Sequence, residues 1–254
     1  MRHLVLWVVL FLLGCGSQED ATPSTAPLAA APSAAAPREG EILLDGLEGR
    51  ALYGRVLPAV PDGDPDRVLV LRTSFASALD GTEVLDARFA QGQLVTLGVD
   101  HVLRLHALQA GVQDGEAVEL DGEVVAPLSV AGPYVAYARG IAPDLEIARA
   151  DASTGAIDAM TSGMQPAWSP ALSSDGREVI FVSGASGEPR LYRSSGSQTR
   201  LLPRSRFPTM PRAPRWEGRT LLFEDEAGLA RIDLGTGQTL RASAAPPAHA
   251  VEAP

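Results

Sequence analysis

Short apolar runs of strand length recur along the chain, each preceded by a glycine. The runs LVTL, YVAY, EVIF and TLLF end in Leu97, Tyr137, Phe181 and Phe223, which stand five residues after Gly92, Gly132, Gly176 and Gly218. Those glycines are separated by 40, 44 and 42 residues, and a second set, Gly111, Gly155, Gly196 and Gly237, follows at 44, 41 and 41. Periods of about 40 to 45 residues with four short strands each are the signature of β-propeller blades. The runs do not alternate strictly between apolar and polar, as expected where a sheet is covered on both faces by its neighbours. The unit is clearest from Pro170 to Arg193, PALSSDGREVIFVSGASGEPRLYR. There Asp175-Gly176 predicts a tight hairpin turn, Val179 to Val182 a strand, Gly184 to Pro189 a second turn and Leu191-Tyr192 the next strand.

The 205 residues from Glu39 to Ser243 hold close to five blades at about 42 residues each. The predicted fold class is therefore all-β, a β-propeller of about five four-stranded blades. Its first blade is irregular: strands are expected over Ala51 to Leu57 and Arg67 to Arg72, on either side of the acidic loop PAVPDGDPD. Glu41 to Leu44 is expected to close the ring by pairing with the last blade.

The 24 residues from Pro170 resemble, without gaps, the repeat of TolB-type (WD40-like) propellers. In that family a WSPDG turn precedes an apolar strand ending in Phe or Tyr, then a Ser-x-Arg-x-Gly turn and an Ile-Tyr strand. This chain departs from it with Leu172 for Trp, Ser174 for Pro and Ala185 for Arg. A competing register, Pro166-Ala167-Trp168-Ser169-Pro170, restores the Trp but needs four residues inserted before Asp175. The resemblance implies a propeller fold. It does not name an activity, because such repeats occur in periplasmic scaffolds and ahead of peptidase domains alike.

The amino terminus reads as an export address. Arg2 supplies a positive region, Leu4 to Leu13 is an uncharged apolar run, and Gly14-Cys15 follows directly. As a helix that run rises only about 15 Å, half of a bilayer core. Leu12-Leu13-Gly14-Cys15 resembles the bacterial lipobox, which implies cleavage before Cys15 and its acylation. Lipid chains at about 0.8 kcal/mol per buried methylene make such an anchor stable. Gly16 after the Cys implies sorting to the outer membrane, facing the periplasm. Residues 21–37 are Ala, Pro, Ser and Thr with one Leu, too poor in apolar groups to fold, and read as a tether. The expected organisation is thus a signal peptide over 1–14, a lipidated Cys and tether over 15–38, the propeller over 39–243 and a Pro/Ala tail over 244–254.

Composition excludes more chemistry than it suggests. All 21 basic residues are Arg, so a Walker A loop, a Schiff-base lysine and a Ser-Lys dyad are absent. Cys15 is the only cysteine, which excludes an intramolecular disulfide. His101 and His106, five apart, lack a third ligand at metal-site spacing. Asp62, Asp64 and Asp66 alternate in the acidic loop, but Arg67 and Thr73 stand where a calcium loop needs Gly and Glu. Gly184-Ala185-Ser186-Gly187 is one residue short of a nucleophile elbow. No catalytic set, metal or cofactor is expected.

Charge is uneven. Residues 39–163 carry 20 acidic and 8 Arg residues, whereas 164–254 carry 9 and 11. Arg200, Arg204, Arg206, Arg212, Arg215 and Arg219 crowd the late blades. Two readings of Arg204, Arg206, Arg212 and Arg215 follow: they meet the acidic first blade at ring closure, or they bind an anionic envelope partner. The net charge of −10 and the export signal exclude nucleic acid. The expected function is a lipid-anchored, non-enzymatic protein-binding or scaffold module of the cell envelope. The alternative is a glycan-directed hydrolase or lyase using carboxylates at the propeller mouth.

Overall fold

Each turn glycine of the first register sits between the two innermost strands of a sheet and holds a left-handed φ, +81° at Gly92, +59° at Gly132, +68° at Gly176 and +59° at Gly218. Gly92, Gly132 and Gly218 lie in two-residue hairpin turns, which require such angles, and Gly176 lies in a four-residue turn closed by Ser173 and Glu178. The computed structural model describes residues 36–39, 41–47, 50–57, 68–74, 77–109, 112–113, 115–202, 212–225, 228–236 and 238–241. Cys15, the residues expected to form the signal peptide and the tether as far as residue 35, the acidic loop and residues 242–254 lie outside them, as do Gly111, Gly237, Arg204 and Arg206.

The described residues form an all-β propeller of five blades. The first blade has three antiparallel strands, β1 (Glu41–Leu47), β2 (Arg50–Val56) and β3 (Leu69–Thr73). A 3-10 turn at Ser77–Leu79 leads into the second blade. That blade comprises β4 (Glu83–Ala90), β5 (Gln93–Gly98), β6 (Leu103–His106) and β9 (Val118–Asp121), with a small ribbon, β7 (Leu108–Gln109) and β8 (Val112–Gln113), between the last two. The third blade is β10 (Val124–Ala131), β11 (Tyr134–Arg139), β12 (Glu146–Asp151) and β13 (Ile157–Ala159). The fourth is β14 (Ala167–Leu172), β15 (Val179–Ser183), β16 (Arg190–Ser194) and β17 (Thr199–Leu201). The fifth is β18 (Arg212–Glu217), β19 (Thr220–Asp225), β20 (Gly228–Asp233) and β21 (Thr239–Arg241).

Two expectations are corrected. The first blade has three strands of its own, and the start of β4 runs along the outer edge of β3, pairing Leu69 with Val84 and Val70 with Glu83. Glu41 to Leu44 does not pair with the last blade. It pairs with β2 through Leu43–Tyr53 and Glu41–Arg55, because a hairpin closed from Leu47 to Arg50 costs far less loop entropy than a partner some 200 residues away.

Four buried clusters fill the spaces between successive blades. Tyr137, Phe181 and Phe223, which end the apolar runs in sequence and lie inside β11, β15 and β19, are fully buried in three of them, and Phe181 stacks on Tyr192 with ring centroids 5.9 Å apart. Among the described residues no such cluster joins the fifth blade to the first.

Arginines fasten blades to one another at the turns. Arg50 donates to the carbonyl of Gly92, and Arg149 donates to that of Gly176 at 2.7 Å while lying over the Tyr134 ring. A Cβ at Gly176 would collide with that ring, whereas one at Gly132 would meet nothing. Gly176→Ala should therefore cost about 2 to 4 kcal/mol, backbone strain plus overpacking, and Gly132→Ala about 1 kcal/mol from strain alone. Urea denaturation of the two variants separates the contributions; equal losses would contradict this packing.

Candidate functional site

The innermost strands surround an open axial cavity of about 670 Å³, to which all five blades contribute. Its wall is built by a repeated irregularity. Every innermost strand is bulged: between Leu43 and Asp45, Val84 and Asp86, Val125 and Ser129, Trp168 and Ala171, and Arg212 and Arg215. Bulges re-aim backbone groups and side chains, and proline is tolerated there and on edge strands because it donates nothing. Pro127, Pro170 and Pro214 occupy these bulges and line the cavity.

Polar side chains cross from one inner strand to the next and cap backbone donors that the bulges expose. Asp45 Oδ2 accepts from the Phe89 N–H at 2.9 Å, Asp86 Oδ2 from Leu128 N–H at 2.8 Å, and Ser129 Oγ from Leu172 N–H at 2.9 Å. The second oxygens are also used, Asp45 Oδ1 by the Gly46 N–H and Asp86 Oδ1 by the Ala87 N–H. Arg88 lies 3.1 Å from Asp86 and donates to the carbonyl of Leu44, tying the first two blades together. Burial pushes the Asp86 carboxyl up from its ordinary value, against the pull of Arg88 and the two N–H groups.

Further out, the Tyr137 hydroxyl donates to Asp121 at 2.8 Å, and Arg139 reaches both Asp121 and Glu146. Burial, followed by the bond to Asp121, raises the Tyr137 hydroxyl above the ordinary phenol range. His106 is buried with Nε2 2.8 Å from the Thr96 hydroxyl, and burial lowers its pKa. His101 Nδ1 lies 3.0 Å from the Val124 carbonyl. Among the described residues no three metal-ligating side chains converge.

In the first blade, Arg72 grips Glu41 through two bonds of 2.6 and 2.7 Å and lies 4.3 Å from the Tyr53 ring centre. That bond to Arg72 is the main reason the Glu41 carboxyl is lowered from 4.5 to about 2. A depressed folded-state value means stabilisation that is complete above about 4.5 and lost as pH falls through about 2. Glu41→Gln should therefore melt below the unmodified protein at pH 7, by about 1 kcal/mol in the range of surface ion pairs, with the gap closing between pH 4.5 and 2. A gap independent of pH would remove the charge from the explanation.

Of the four arginines proposed for an anionic partner, Arg204 and Arg206 lie outside the described residues. Arg212 opens β18, and Arg215 lines the axial cavity with its side chain 70% exposed and paired to Glu217 of the same strand at 2.9 Å. Among the described residues no ion pair joins the fifth blade to the first. Sequence reasoning missed Asp45, Asp86 and Ser129. A readable signal was present in Pro127, Pro170 and Pro214, spaced 43 and 44 apart, since proline at blade period marks an edge strand.

No family model matches the chain, and no curated protein matches it in sequence. Solved structures share the fold. TolB from Acinetobacter baumannii aligns with a TM-score of 0.52 at 17% identity over 76% of this chain, which spans about half of that protein, 52%. A protein described as TolB from Agrobacterium tumefaciens aligns at 0.50 and 14% identity over 75% of each chain. A chain of a nidogen/laminin complex aligns at 0.51 and 7% identity over 80% of each. At these identities the likeness is one of fold, a TolB-like β-propeller.

Proposed function

We propose that this chain is a lipid-anchored β-propeller of the bacterial cell envelope, a non-enzymatic module that binds a protein partner at its axial mouth. The observation that carries this reading is the state of the carboxylate that lines the cavity. Asp45 spends both oxygens on backbone N–H groups, as does the buried Asp86 behind the wall, so neither offers the free acid or nucleophile that glycoside cleavage needs. An open cavity bordered by Arg215, Trp216 and Leu229 combines the Arg and Trp enriched at interface hot spots with apolar surface. The lipobox resemblance at Leu12 to Cys15 and the Ala/Pro-rich tether supply the anchor, and the outer membrane facing the periplasm is the proposed address.

Two experiments test the parts separately. Cys15→Ser should release the protein from the membrane fraction, and acyl labelling that persisted in it would overturn the anchor. Capture from envelope extract should recover a partner with the unmodified protein and lose it with Trp216→Ala and Ser129→Trp, which strip and plug the mouth. Recovery of the same partner by both variants would place binding elsewhere.

A further inference from the structure

The capping series along the axis is incomplete, and its gap has a defined chemistry. Asp45, Arg88, Ser129, Ala171 and Arg215 are equivalent positions, each two residues before the residue that closes the innermost turn: Leu47, Ala90, Ala131, Ser173 and Glu217. The residue after each equivalent position forms a non-hydrogen-bonded pair with its own blade, so its N–H points away from the sheet. In the second and fourth blades that N–H belongs to Phe89 and Leu172 and is capped by Asp45 and Ser129 of the preceding blade. In the fifth blade it belongs to Trp216, which pairs with Leu221 next to the closing Glu217–Thr220 pair. The capping position for Trp216 is Ala171, which packs in the cluster shared with the fifth blade and has no acceptor to offer. The third blade has the same vacancy at Val130, because Arg88 in the capping position can only donate.

Resting on the reading of the axial mouth as a partner site, we infer that it takes an acidic peptide, with one carboxylate seated on the Trp216 N–H and the Arg215 guanidinium. Val130, Arg215 and Trp216 all line the cavity; the lining carboxylate of Asp45 is spent on the Gly46 and Phe89 N–H groups, and Glu217 takes only one side of the Arg215 guanidinium, which has five N–H donors. The vacancy is thus a surplus of donors, and a carboxylate is the side chain that supplies acceptors without adding a donor. A polyanion such as nucleic acid would meet the net charge of −10, whereas a single carboxylate on a peptide contends only with the local field.

The test uses the full-length protein in detergent and two blocked hexapeptides, one of Glu and one of Gln, followed by amide-resolved NMR. The Glu peptide should bind, shift the Trp216 and Val130 amides, and slow exchange at Trp216. Ala171→Ser, which supplies the cap that Ser129 provides one blade earlier, should protect the Trp216 amide without peptide and weaken Glu-peptide binding about tenfold. Arg215→Gln, at an exposed position that leaves the core alone, should weaken it and reduce its salt dependence. Equal binding of the Glu and Gln peptides would overturn the carboxylate seat while leaving the mouth as a partner site. So would unchanged Glu-peptide affinity in both variants, and failure of the Glu peptide to bind would overturn the inference outright.

Discussion

Phe181→Ala is expected to remove about 3 to 5 kcal/mol of folding stability, enough to unfold much of a marginally stable domain. Phe181 has no exposed surface, sits at the centre of the second strand of the fourth blade and stacks on Tyr192 within the core shared with the third blade. Truncation leaves a cavity between two sheets that are fastened on both sides and cannot collapse into it. Phe181→Leu, which keeps most of the volume, should cost less than half as much. Urea denaturation of both variants measures the difference, and near-equal losses would mean that the aromatic position is not a filled core site.

The second large effect is expected at Asp86. Asp86→Ala leaves the Leu128 and Ala87 N–H groups and the Arg88 guanidinium without their shared acceptor, at about 3 to 5 kcal/mol. Asp86→Asn keeps one acceptor oxygen and should lose about half of that. Because Asp86 joins the inner strands of the second and third blades, hydrogen exchange in Asp86→Ala should rise first along β4 and β10. Exchange rising instead in the fourth and fifth blades would contradict the capping role.

What could be read in the sequence was what geometry restricts to one residue type. A left-handed turn position favours glycine, so Gly92, Gly132, Gly176 and Gly218 carry the repeat openly, and the aromatic or Leu five residues on fills the core between blades. The competing register at Trp168 is resolved the same way: the chain turns at Asp175-Gly176, and Trp168 stays half-buried within β14. The axial caps were hidden because Asp, Arg, Ser and Ala share one position, and their meaning depends on a backbone N–H some 43 residues away. The pairing of β1 was misjudged for a related reason. Ile42, Leu43 and Leu44 suit any sheet edge, and only the short connection to Arg50 favours the local partner.

The most direct measurement is amide hydrogen exchange on the full-length protein with and without its captured partner. Engagement of the axial mouth predicts added protection at Val130 and Trp216, whose amides face the cavity, with little change along the outermost strands. Protection confined to β13, β17 and β21, with the inner strands unchanged, would contradict it.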